Sequence, residues 1–102
     1  MDVETQLSAQ EVGGWHNARL MRVSVAVIYD SRNDSFTIYT EEHMPELLDI
    51  LASGPRVIGF NLHRFDYQVL SFYNKSKTFF RNLPSLDILQ IVHDRELSPL
   101  SG

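Results

Sequence analysis

The sequence predicts an α/β fold built on a mixed sheet, and three observations lead there. Two β-branched, nearly alternating segments at residues 20–29 and 35–40 flank a stretch of five polar residues, DSRND. An amphipathic segment, MPELLDILAS, follows at residues 44–53. A short, continuously apolar run, RVIGF at residues 56–60, comes directly after it. A hairpin, then a helix, then a buried strand is an antiparallel unit joined to a parallel crossover.

Each element has its own local cause. Residues 1–5 alternate, with Val3 apolar between Asp2 and Glu4, and read as a short extended piece. Gly13 and Gly14 close a polar loop after it. In residues 20–29, Val23, Val25 and Val27 fall on one face and Arg22, Ser24, Ala26 and Ile28 on the other. DSRND turns the chain, and SFTIYT returns as the second hairpin strand. Thr40 is placed to cap the next helix, Glu41 and Glu42 suit its positive end, and Pro45 is tolerated in the first turn. Leu47, Leu48, Ile50 and Leu51 have helical spacing, and Gly54-Pro55 stops the helix. Residues 61–64 read as a loop and residues 65–73 as a helix, with Phe65, Val69 and Phe72 on one face. Residues 74–81 are a basic, aromatic connection. Residues 86–92 fit either a helix or a strand, and the last residues, ELSPLSG, look frayed.

With 102 residues the chain is one domain, residues 1–102, and too short for two. An apolar fraction of 43% supports a core. Thirteen acids against nine bases give a net charge of −4, which disfavours a free-standing electrostatic binder of nucleic acid. The absence of cysteine removes disulfides, thiolate nucleophiles and cysteine zinc sites. Apolar runs are too short to span a membrane, so no membrane partner and a cytoplasmic location are expected.

Asp2 and Glu4, one residue apart on a strand, project from the same face. Side-by-side like charges are unfavourable unless a cation neutralises them, although exposed acids on strands are common. Asp66 follows the strand at 56–60 after a short loop, where sites of parallel sheets lie, and also suits a helix N-terminus. Asn61 at the strand end reads as a loop cap or as a polar group facing a substrate. Lys75, Lys77 and Arg81, interleaved with Phe79 and Phe80, could touch a nucleic-acid backbone, but read better as a solvated loop with two apolar anchors.

Taken in order, these residues resemble a known family. Asp2-Val3-Glu4-Thr5 resembles the first motif of the DEDD 3′–5′ exonuclease superfamily, an Asp-x-Glu on the first strand of a ribonuclease H-like sheet. GFNLHRFD at residues 59–66 resembles its second motif. The ordered set DVETQ, EVGG, VSVAVIYD, VIGFNLHRFDYQVL and LPSLDIL is similar to the YprB-type branch along nearly the whole chain.

The resemblance implies a ribonuclease H-like mixed sheet with flanking helices, antiparallel β strands first and a parallel strand after. It implies phosphodiester hydrolysis with two Mg²⁺ or Mn²⁺ ions about 4 Å apart. Asp2 would bridge both ions, Glu4 would bind one and orient water, and Asp66 would hold the other. Thr5, Asn61 and Phe65 would face the substrate, the 3′ end of single-stranded DNA or RNA, although Phe65 also reads as a core residue. Asp87 takes a structural or supporting role. The third motif, with the last metal-binding Asp and a Tyr or His base, has no counterpart; His93 and His43 invite a general-base reading, but the spacing around His93 does not match and it reads as an exposed helix-end residue. The expectation is an incomplete domain, clipped at both ends, with weak or no nuclease activity alone. The alternative is a non-catalytic ribonuclease H-like binding module, possible as a homodimer through exposed sheet edges.

Overall fold

Alternation becomes an antiparallel sheet in the computed structural model, which describes residues 1–76 and 78–97. Strands β1 (Asp2–Thr5), β2 (Val23–Asp30) and β3 (Ser35–Thr40) lie in the order β1-β2-β3. A 3-10 turn over Glu41–His43 leads into helix α1 (Met44–Ala52) and then strand β4 (Val57–Gly59). A π-helical turn over Leu62–Asp66 passes into helix α2 (Tyr67–Leu70) and a 3-10 turn over Ser71–Tyr73. Strand β5 (Ser85–Asp87) and helix α3 (Ile88–Leu97) follow. The segment compatible with helix or strand is thus both in succession. β4 and β5 pair in parallel, Val57 opposite Ser85 and Gly59 opposite Asp87.

The two sheets meet at the start of β1, where the Met1 ammonium donates to the Ile58 carbonyl at 2.8 Å. Gly59 permits this approach. A Cβ there would lie 2.5 Å from a Leu62 methyl and 3.1 Å from the Met1 carbonyl oxygen. The α/β class therefore stands, but in place of one mixed sheet there are two, an antiparallel three-stranded sheet and a parallel two-stranded one, because β4 pairs with β5 and not with the hairpin strands.

The face assignment of β2 is corrected by a bulge. Glu4 pairs with Val25 but Thr5 pairs with Val23, which leaves Ser24 as an extra residue. Val23 is thereby turned to the same side as Ala26, and both are fully buried. Leu20 and Met21 are not strand but belong to a 3-10 segment over Trp15–Met21. The strand can start only after Arg22, whose φ of 58° breaks the extended backbone. Arg22 is held there by two hydrogen bonds to Glu41, at 2.6 and 2.7 Å, and Tyr73 donates its hydroxyl to the same carboxylate. These partners hold the Glu41 carboxyl below its ordinary range.

Two helix expectations also change. Thr40 makes no capping bond and instead donates to Glu42 Oε1 at 3.3 Å; the 3-10 turn displaces the start of α1, whose cap position is His43. The helix expected from residue 65 begins earlier, at Leu62, and Phe72 points outward while Leu62, Tyr67, Val69 and Leu70 are buried. At the C-terminus, α3 runs to Leu97 where fraying was expected, and the rest of that tail, residues 98–102, lies outside the described residues.

One face of the antiparallel sheet carries the core. Val3, Ala26 and Tyr39 lie side by side across the three strands and belong to one cluster with Leu47, Leu51, Leu62 and Val69. Complete burial of a leucine such as Leu47 or Leu70 stabilises by roughly 1.5–3 kcal/mol. The opposite face carries Asp2 beside Val27 and Ile38, Glu4 beside Val25, and Tyr29 beside Phe36. Phe36 and Ile38 are 72% and 66% exposed. No helix of the described residues is long and apolar enough to cross a membrane.

Candidate metal and catalytic site

The period of a strand puts Asp2 and Glu4 on the outer face of β1, both exposed, as expected. Asp66 reaches them from the other half of the chain. β4 ends at Gly59, and two residues on Asn61 adopts a left-handed conformation with φ 61°, which asparagine tolerates better than most residues. The chain then closes a tight turn in which the Phe65 amide donates to the Asn61 carbonyl at 3.0 Å. Fully buried Leu62 and nearly buried Tyr67 anchor the two ends of that turn. Tyr67 is fixed in turn by a hydroxyl contact with Ser85 Oγ.

This arrangement leaves Asp66 only 3% exposed, next to Asp2 and the amide of Val3. Burial is the main reason its pKa rises to about 7, and the Asp2 carboxylate adds to the rise. Its own amide, the N-terminal ammonium and the Val3 amide oppose the shift without cancelling it. Asp66 is therefore a buried acid, acted on by the Asp2 charge, that resists ionisation. That is the electrostatic situation a cation relieves. Among the described residues, no three His, Asp or Glu side chains, Glu4 included, converge to hold a metal ion.

The remaining sequence candidates distribute around these acids. Thr5 donates its hydroxyl to the Leu7 carbonyl at 2.9 Å, a local turn contact. Phe65 is half-buried and meets Trp15 edge-on, with ring centroids 6.0 Å apart. Asn61 donates its main-chain N–H to Asp87 Oδ1. Asp87 has the supporting role expected of it. Its Oδ1 accepts from the Asn61 and Leu89 amides at 2.8 and 3.1 Å, and its Oδ2 from the His63 amide at 3.2 Å. One carboxylate thus ties the turn that carries Asp66 to the start of α3.

Phe80 is buried against Phe79 and Tyr67, so these two phenylalanines are anchors. Lys75 and Arg81 are exposed, and Lys77 lies outside the described residues. His43 sits exposed, 3.8 and 3.9 Å from Glu42 and Glu46.

A cleft that the motifs did not single out lies on the α3 side of the same turn. It has a volume of about 160 Å³ and is lined by Asn61, His63, Arg64, Asp87, Gln90 and His93, with Leu89. The only sequence signals for it are the adjacent His63-Arg64 and a Gln90–His93 spacing of one helical turn. A larger, open concavity at the β2 bulge, lined by Gln6, Ser24, Thr40 and Glu41 among others, includes neither Asp2 nor Asp66.

The fold and site together define an α/β chain in which a buried carboxylate of the turn after β4 feels the charge of one on β1. Compared with protein-family models, curated proteins and solved structures, the chain matches none.

Proposed function

We propose that this chain is a ribonuclease H-like nuclease unit of the DEDD type, acting on the 3′ end of single-stranded DNA or RNA with Mg²⁺ or Mn²⁺. The observation that carries this reading is the burial of Asp66 within electrostatic reach of Asp2, two acids from separate motifs. An all-oxygen donor pair in a chain without cysteine favours a hard divalent cation. Asp2 and Asp66 would hold such an ion, with water and substrate oxygens completing its shell. A divalent ion so held supplies Lewis-acid stabilisation to a phosphodiester.

The residues of the chain account for the rest. Asp66 retains a proton over much of the neutral range and releases it when a cation replaces it. Tyr67 is committed to Ser85, so its hydroxyl does not serve as a base beside Asp66. A missing general base lowers turnover by about 10²–10⁴-fold. Weak or undetectable hydrolysis by this chain is the expected result; robust Mn²⁺-dependent digestion of single-stranded DNA that Asp2→Ala abolishes would overturn it. Calorimetric titration should give saturable Mn²⁺ binding that Asp66→Ala removes. No binding to the wild-type chain refutes the metal reading.

A second reading is favoured by the uncovered apolar side of the sheet, where Phe36 and Ile38 are largely exposed. Exposed patches of this kind mark association surfaces. On this reading the chain is a non-catalytic binding or self-associating module. Size-exclusion chromatography at rising concentration should then show a dimer that the double substitution Phe36→Thr and Ile38→Thr dissociates. A wild-type monomer at high concentration removes this reading.

A further inference from the structure

We infer that the cleft between the Leu62–Asp66 turn and α3 binds a backbone phosphate of a single nucleic-acid strand, with Arg64 as its principal ligand. The cleft collects hydrogen-bond donors from two elements. Asn61, His63 and Arg64 come from the turn after β4, and Gln90 and His93 come from one face of α3. Arg64 forms no salt bridge among the described residues, and its guanidinium is charged at any working pH. Asp87, the acid in the lining, is 8% exposed and accepts three backbone amides. Its charge is therefore already solvated by the protein and opposes an incoming anion less than a free carboxylate would.

Size and position point the same way. At about 160 Å³ the cleft is smaller than the roughly 300–1,000 Å³ of pockets that enclose whole drug-sized ligands. It suits one anionic group while the remainder of the ligand stays outside. It also sits at the carboxyl ends of the parallel strands β4 and β5, where ligands of open α/β sheets bind. A single turn thus presents Asp66 toward β1 and Arg64 toward α3. A strand with one phosphate in the cleft would have its neighbouring segment beside Asp66. The cleft supplies the attraction that a chain of net charge −4 otherwise lacks. The choice of a nucleic-acid strand rests on the nuclease reading above, but the cleft needs no metal.

The test is therefore made in EDTA, so that loss of metal binding cannot imitate its outcome. Fluorescence anisotropy with a short labelled oligothymidylate should show binding that Arg64→Ala weakens about five- to tenfold. The slope of log affinity against log salt should fall by about 0.7, the release expected for one phosphate of a single strand. The control Arg81→Ala, on the exposed connection, should change binding less than Arg64→Ala does. Circular dichroism confirms that both variants fold. In parallel, NMR resonances of His63 and His93 should shift on adding the oligonucleotide, and inorganic phosphate should compete. Equal binding by Arg64→Ala, or equal losses in Arg64→Ala and Arg81→Ala, overturns the proposal. Histidine shifts with inorganic phosphate but none with the strand would replace it with a site for free phosphate.

Discussion

In EDTA the chain should lose roughly 2–3 kcal/mol of stability between pH 5 and pH 7.5, and Asp66→Asn should abolish most of that loss. Asp66 has an ordinary value of 3.8 and a folded-state value of about 7. The folded state therefore binds the proton more tightly than the unfolded state over that interval. Stability is fully present below about pH 4 and falls as the pH rises toward and through 7. Each unit of pKa difference corresponds to about 1.4 kcal/mol. The groups facing Asp66 are the Asp2 carboxylate and the N-terminal ammonium, together with the Asp66 and Val3 amides. Asp66→Asn keeps the shape and removes the buried charge, so at pH 7.5 the variant should be the more stable protein. Urea denaturation at several pH values measures this directly. Mn²⁺ should reverse the trend in the wild type, raising the melting temperature more at pH 7.5 than at pH 5. It should not do so in Asp66→Asn. A wild-type stability that is flat with pH would show that Asp66 is not held as described.

Replacing Asp87 should have the opposite sign and a comparable size. Asp87→Ala removes the acceptor of three backbone amides, those of Asn61, His63 and Leu89. Leaving a buried donor without a partner costs about 1–3 kcal/mol, and some of the three will recover a water. A loss of roughly 3–5 kcal/mol is expected for a side chain that is 8% exposed. Asp87→Asn should lose less, because one amide oxygen can still serve Asn61 and Leu89 while its NH₂ cannot accept from His63. Urea unfolding curves give both values, and a loss below about 1 kcal/mol for Asp87→Ala would contradict the network. In Asp87→Ala the turn should also loosen, so that the pH dependence attributed to Asp66 flattens with it.

Much of the element plan was legible because it depends on local periodicity. The hairpin, α1 and β4 follow from alternation, helical spacing and breakers, all of which are properties of neighbouring residues. The bulge at Ser24 was not legible: Val23, Val25 and Val27 alternate perfectly as a string, and only the register against β1 reveals the extra residue. The cap at Thr40 failed for a related reason. Local chemistry allowed it, but the 3-10 turn at Glu41–His43 and the pairing of Glu41 with Arg22 and Tyr73 decided the entry into α1. At the candidate site, the outward direction of Asp2 and Glu4 could be read from strand parity. The retreat of Asp66 into the interior could not, since a first-turn acid is usually solvated.

What the sequence by itself determined is the order of elements and the identity of the acids: Asp2 and Glu4 on one strand face, and Asp66 just beyond a buried strand. These depend on interactions within a few residues. Only the tertiary structure decided that Asp66 is buried within reach of the Asp2 charge, that Asp87 accepts from three amides, and that Arg64 shares a cleft with His93. Those are contacts between segments far apart in the chain. They are set when the parallel pairing of β4 with β5 and the hydrogen bond from Met1 to Ile58 bring the two sheets together. Charge at close range depends on distance and burial, and neither quantity exists in a sequence until the chain has packed.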